Sequence, residues 1–130
     1  MKLLTKEIEA KLRANGRTRA DCPPLLKLFN PCGAYTALFT ELAEDGDTLF
    51  GLADMGFGCP ELGYSSLAEI MAIRLPFGLK IERDRSFEAS HPLSVYADAA
   101  RRACTIVETD FELEQAANQH HNGGPRHAQG

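Results

Sequence analysis

The chain has 130 residues, 44% of them hydrophobic and 25% charged, with 14 basic and 18 acidic side chains giving a formal charge of −4. This is ordinary globular composition for one modest domain, long enough to bury roughly two-thirds of its unfolded surface without a disulfide or metal. Collagen-like, wholly disordered and disulfide-scaffold classes are excluded. No stretch approaches the ~20 apolar residues of a membrane span, and the charged opening does not read as a secretory leader.

The opening predicts a short helix with Thr5 as N-cap, Glu7 and Glu9 at the positive end of its dipole, and Ile8 and Leu12 on one face. Asn15-Gly16 reads as its left-handed stop. A polar loop from Arg17 to Pro24 follows. Leu25 to Phe29, Tyr35 to Leu42 and Thr48 to Asp54 then read as three strands joined by short turns, which favours an antiparallel meander. After the Gly56-Phe57-Gly58 bend, Glu61 to Ser65 is a fourth strand candidate. Ser66-Leu67-Ala68-Glu69 is a capping box that opens a middle helix, ended by Pro76 and Gly78. Leu79 to Asp84 alternates like an edge strand. Pro92 opens a last helix carrying Leu93, Tyr96, Ala97, Ala100 and Cys104 at helical spacing.

The expected architecture is α+β: a small antiparallel sheet of four to five strands, with an N-terminal, a middle and a C-terminal helix packed over one face. Residues 1–107 form the domain. Residues 108–130 read as an acidic, then His- and Gly-containing tail, largely disordered, because the apolar pattern stops after Phe111.

No catalytic or metal-binding constellation is visible, and no cofactor motif is completed. Gly56-Phe57-Gly58 lacks the rest of any phosphate loop, whereas Gly51 and Gly63 read as sites of a bulge or close backbone approach. The four cysteines are far apart, so a zinc set of Cys22, Cys32, Cys59 and His91 lacks the short ligand pair such sites normally show. His120, His121 and His127 read as solvated tail residues. The body carries no basic footprint for duplex DNA, although Arg13, Arg17 and Arg19 cluster after the first helix. Glu82-Arg83-Asp84-Arg85 is the densest charge run, and Glu61 and Tyr64 present a polar-aromatic pair on the fourth strand.

Several segments, in order, carry a resemblance: Leu26-Lys27-Leu28-Phe29-Asn30-Pro31, Phe50-Gly51-Leu52-Ala53-Asp54-Met55-Gly56, and Cys59-Pro60-Glu61-Leu62-Gly63-Tyr64-Ser65-Ser66-Leu67-Ala68-Glu69-Ile70. Ile81-Glu82-Arg83-Asp84 and Pro92-Leu93-Ser94-Val95-Tyr96-Ala97 extend it. Together they resemble the domain-of-unknown-function family numbered 2958, from Met1 to about Val107. The resemblance implies a small bacterial protein common on plasmids and integrated mobile elements, and implies no activity.

The expectation is therefore a non-enzymatic, cytoplasmic, protein-binding accessory factor of a mobile element, such as a counter-defence inhibitor of a nuclease or CRISPR complex. Its partner would be another protein or a protein–nucleic-acid complex rather than DNA or a membrane. The contact residues assigned are Glu61, Tyr64, Arg74, Glu82, Arg83 and Asp84. The alternative is a nucleic-acid-binding accessory of plasmid replication or transfer using Arg13, Arg17 and Arg19. An enzyme built on Cys59 or His91 ranks last, and the oligomeric state stays open.

Overall fold

The computed structural model describes residues 2–122, with side chains as far as Gln119. The elements in order are α1 (Lys6–Thr18), β1 (Leu26–Phe29), β2 (Thr36–Leu42), β3 (Thr48–Asp54), β4 (Glu61–Ser66), α2 (Leu67–Ala72), β5 (Glu82–Arg83), α3 (Leu93–Ala103) and α4 (Asp110–Asn122). A 3-10 turn at Pro76–Gly78 lies between α2 and β5. The strands form one sheet in the order β4-β3-β2-β1-β5, with every neighbouring pair antiparallel.

Helices cover both faces of this sheet, not one. Ala37 and Phe39 of β2 join Leu26, Leu28, Leu42 and Leu49 beneath Leu12 of α1 and Ile70 of α2. Leu38 and Leu52 point the other way, into a second core with Leu93, Tyr96 and Ala100 of α3 and Leu113 and Ala116 of α4. Strands buried on two faces need a continuous apolar run rather than an alternating one, and Ala37-Leu38-Phe39 supplies it, followed by the buried Thr40.

Thr5 caps α1 as expected, accepting from the Ile8 amide at 3.1 Å. The predicted stop at Asn15-Gly16 is overturned. The helix runs on to Thr18 and ends at Arg19, whose φ of 55° is left-handed. Asn15 instead donates from Nδ2 to the Thr40 carbonyl at 3.0 Å. A Cβ on Gly16 would stand 2.7 Å from the Leu42 carbonyl oxygen. The pair thus lets α1 lie close on β2, and both residues answer to tertiary contact rather than helix termination.

A register shift between Phe39 and Glu41 bulges β2 opposite Gly51. There a Cβ would sit 2.0 Å from the Leu38 carbonyl oxygen, so Gly51 is a close-approach glycine, whereas at Gly63 nothing lies within 4 Å. Ser66 is the N-cap the sequence predicts: its Oγ accepts from the Glu69 amide at 3.2 Å. Asp47 reinforces it, accepting from Ser66 Oγ and from the Ala68 amide, both at 2.7 Å. The middle helix is shorter than its pattern, ending at Ala72, and the last strand shrinks to Glu82–Arg83.

The segment expected to be a tail is helix α4 as far as Asn122; residues 123–130 lie outside the described residues. Thr109 Oγ1 accepts from the Glu112 amide at 3.3 Å and donates to Glu112 Oε1 at 2.7 Å, an N-cap that fixes the helix start. Leu113 and Ala116 are fully buried, with Ala117 packed beside them against α3 and the sheet. A stripe of one leucine and two alanines is too thin to register as an apolar pattern. It suffices because α3 presents small alanines to meet it.

Candidate interaction surface

The nine residues assigned from sequence fall into separate places. Glu61 and Tyr64 stand on β4, while Glu82 and Arg83 stand on β5 at the opposite edge of the sheet. Four strand spacings of ~4.8 Å put these edges roughly 19 Å apart. Arg74 is exposed on the segment that leaves α2.

Arg83 is only half exposed, and its Nη1 donates to the Lys2 and Leu3 carbonyls at 2.9 and 3.2 Å, holding the start of the chain against β5. Asp84 Oδ2 lies 3.4 Å from Lys27 Nζ, which also reaches Glu108 at 2.7 Å. Burial works to lower the Lys27 pKa, but the hydrogen bonds and charges of Glu108 and Asp84 together hold it above its ordinary value. Arg83 and Asp84 are therefore engaged within the fold, and Glu82 beside them lines an open groove.

The three arginines also divide. Arg13 pairs with Glu9 at 3.0 Å and donates to the Glu44 carbonyl. Arg17 is exposed and lines the same small cleft as Arg13. Arg19 has left the helix and donates from Nη2 to the Tyr64 hydroxyl at 3.1 Å.

Apart from Phe111 on α4, the exposed large apolar side chains among the described residues group in two places. Met55 and Phe57 sit on the β3–β4 hairpin, continuous with Leu62 and Tyr64 of β4; Phe57 is 85% exposed and Tyr64 63%. Gly56 and Gly58, at φ 89° and 84°, hold Phe57 out between them. Tyr64 packs on Phe50 with ring centroids 5.1 Å apart. The second group, Met71, Ile73, Phe77 and Leu79, follows from α2 towards β5. Between α2 and the hairpin runs a groove of ≈ 730 Å³ lined by Tyr35, Met55, Ser65, Ile70 and Ile73, among others. Burial there pushes the Tyr35 phenol up to about 12.

Sequence reasoning missed the hairpin tip, because glycines flanking a phenylalanine look like an ordinary bend. It also missed Asp54, which is buried. Its Oδ1 accepts from the Gly56 amide at 2.8 Å, and its Oδ2 accepts from Thr105 Oγ1 at 2.9 Å and the Ile106 amide at 3.2 Å. That carboxylate ties the hairpin to the α3–α4 loop.

The residues considered for chemistry are dispersed. Cys32, Cys59 and Cys104 are exposed and Cys22 half-buried. Burial, with Glu41 and Asp21 nearby, pushes the Cys22 thiol up, away from thiolate character. His91 faces Ser90 Oγ at 2.7 Å and Glu114 at 3.6 Å. Among the described residues no three His, Cys, Asp or Glu side chains come together to hold a metal ion, and no helix is long and apolar enough to cross a membrane. The side chains of His120, His121 and His127 lie outside the described residues.

Fold and surface together define a small α+β domain with an antiparallel sheet layered between helices and an open edge at β4. No curated protein and no solved structure matches the chain. It belongs to the family described as protein of unknown function DUF2958, whose model matches residues 3–107 and so ends before α4 begins.

Proposed function

We propose that this chain is a non-enzymatic protein-binding module that takes an extended segment of its partner onto the edge of β4. One observation carries the reading: β4 is a six-residue edge strand, unpaired on its outer side among the described residues, with Leu62 and Tyr64 exposed along it. Natural edges are usually blunted by charged side chains, Pro, bulges or shortness. In Glu61–Ser66 the one charge is Glu61 at the strand's first position, after Pro60, and the rest of the strand carries no charge, Pro or bulge. The opposite edge differs, because β5 is two residues long and Arg83 braces the chain start against it. Strand addition supplies affinity through main-chain hydrogen bonds, and alternate side chains such as Leu62 and Tyr64 supply specificity. Glu61, Tyr64 and the Arg19 guanidinium beside it then form the polar part of the contact.

The narrower reading is an accessory factor of a bacterial mobile element that restrains a nuclease or CRISPR complex. The family resemblance motivates it, and the mildly acidic charge of −4 suits a partner with a basic surface. The test is to recover the tagged chain from a bacterium carrying a mobile element and defence systems, identify the bound protein, and follow amide exchange of the purified complex. Slowed exchange across Glu61–Ser66, with binding lost in the double variant Leu62→Lys, Tyr64→Lys and kept in Arg102→Ala, is the expected result. A partner that leaves β4 exchange unchanged overturns the reading.

A further inference from the structure

Phe77 is 95% exposed and stands at φ 62°, in the left-handed region. That conformation is an outlier for a bulky side chain and normally goes to glycine. Pro76 before it and Gly78 after it, the latter at φ 73°, complete a tight turn that holds the ring in solvent. The turn sits at the rim of an open groove of ≈ 680 Å³, whose lining includes Leu3, Leu4, Leu67, Met71, Leu79 and Ile81. Met71 and Leu79 are themselves exposed. A displayed aromatic beside an apolar groove is a plug next to a socket, and the described residues of one copy leave each unfilled.

We infer that the occupant of the groove is the Phe77 ring of a second copy of this chain, inserted reciprocally about a two-fold axis near the Pro76–Gly78 turn. Two features favour a second copy over an unrelated partner. An isologous contact needs plug and socket on one patch, and here Phe77 adjoins Gly78 and Leu79 of the groove wall. The charges on the rim also have both signs: Lys2 and Lys80 stand with Glu82, and none of the three makes an ion pair among the described residues. With Lys80 and Glu82 on one rim, a two-fold contact that sets Lys80 of each copy against Glu82 of the other would make the patch complement itself. The sheet edge at β4 is not used, and the dimer leaves it open to a partner.

The contact offered is small, one aromatic anchor and an open apolar groove, so the dimer is weak and concentration-dependent. Sedimentation of the full chain from about 1 μM to 1 mM is expected to show a rise from the 14.2 kDa monomer to twice that mass. Phe77→Gly removes the plug and relaxes the left-handed strain, so this variant should stay monomeric with an unchanged or higher melting temperature. That readout separates lost association from lost folding. Lys80→Glu should weaken the dimer about 10-fold or more, and adding Glu82→Lys should restore it. A wild-type chain that stays monomeric to 1 mM overturns the proposal. So does a Phe77→Gly variant that still dimerises, or a dimer abolished by Tyr64→Lys, which would place the contact on the β4 edge.

Discussion

The Arg19 guanidinium donates to the Tyr64 hydroxyl at 3.1 Å across forty-five residues of sequence. In the sequence Arg19 belongs to a basic cluster and Tyr64 to a polar-aromatic pair, and the fold makes them neighbours at the β4 edge. Arg19 gets there because α1 overruns Asn15-Gly16 and ends in a left-handed residue that turns the chain away. Its hydrogen bond is exposed, so it orients the two side chains more than it stabilises the fold. Tyr64→Phe should cost less than about 1 kcal/mol in urea denaturation.

Asp54 is expected to be far less tolerant. Replacing it with Ala removes the acceptor for the Gly56 amide, the Thr105 hydroxyl and the Ile106 amide in a buried place. A loss of about 2–4 kcal/mol follows from leaving such groups unpaired, measured by denaturant unfolding. Faster amide exchange at Gly56 and Ile106 should accompany it.

Gly51→Ala should unfold the protein or cost about 3 kcal/mol or more, because the new methyl meets backbone rather than a movable side chain. Gly63→Ala, one strand over, has open space and should fold normally. A circular-dichroism melt of the two variants side by side checks the contrast.

Helix α4 lies beyond the residues that match the family model, yet it closes the second core. Leu113→Ala should cost about 2–4 kcal/mol by thermal or urea denaturation, the usual range for emptying a fully buried leucine site. A change below 0.5 kcal/mol, the scale of an ordinary surface substitution, would show that α4 does not seal that core.

Two titrations should bracket the pH range of stability. Asp45 is held down at about 2 by the Thr48 hydroxyl and amide and by the Asp47 amide. Because its folded pKa is depressed, its contribution is present above the unfolded carboxylate pKa and is lost as pH falls from about 4 towards 2. Tyr35, raised to about 12 by burial, acts in the opposite sense: its contribution is full below about pH 10 and is lost as pH rises towards 12. Asp45→Asn should flatten the acid limb of a stability–pH profile, and Tyr35→Phe the alkaline one.

Local signals along the chain determined the order of elements. Thr5 and Ser66 cap helices through bonds to amides three residues on, and the β2–β3 turn closes within a few residues, so neighbouring sequence suffices to specify them. The α+β class and the strands β2 and β3 followed from the same short-range chemistry. Thr109 and Glu112 carried an equally local signal for α4, which the thin apolar stripe behind them obscured.

Only the tertiary structure decided which charges are engaged and which surfaces are left open. Arg83 and Asp84 look like a recognition run in sequence, but the start of the chain and Lys27 take them up. Asn15 and Gly16 read as a stop until β2 lies beside them. Whether β4 is an edge or a central strand depends on what pairs with its outer side, and whether Phe77 is buried depends on what packs beside the Pro76–Gly78 turn. Such outcomes are set by contacts between segments tens of residues apart, whose energies no local pattern encodes.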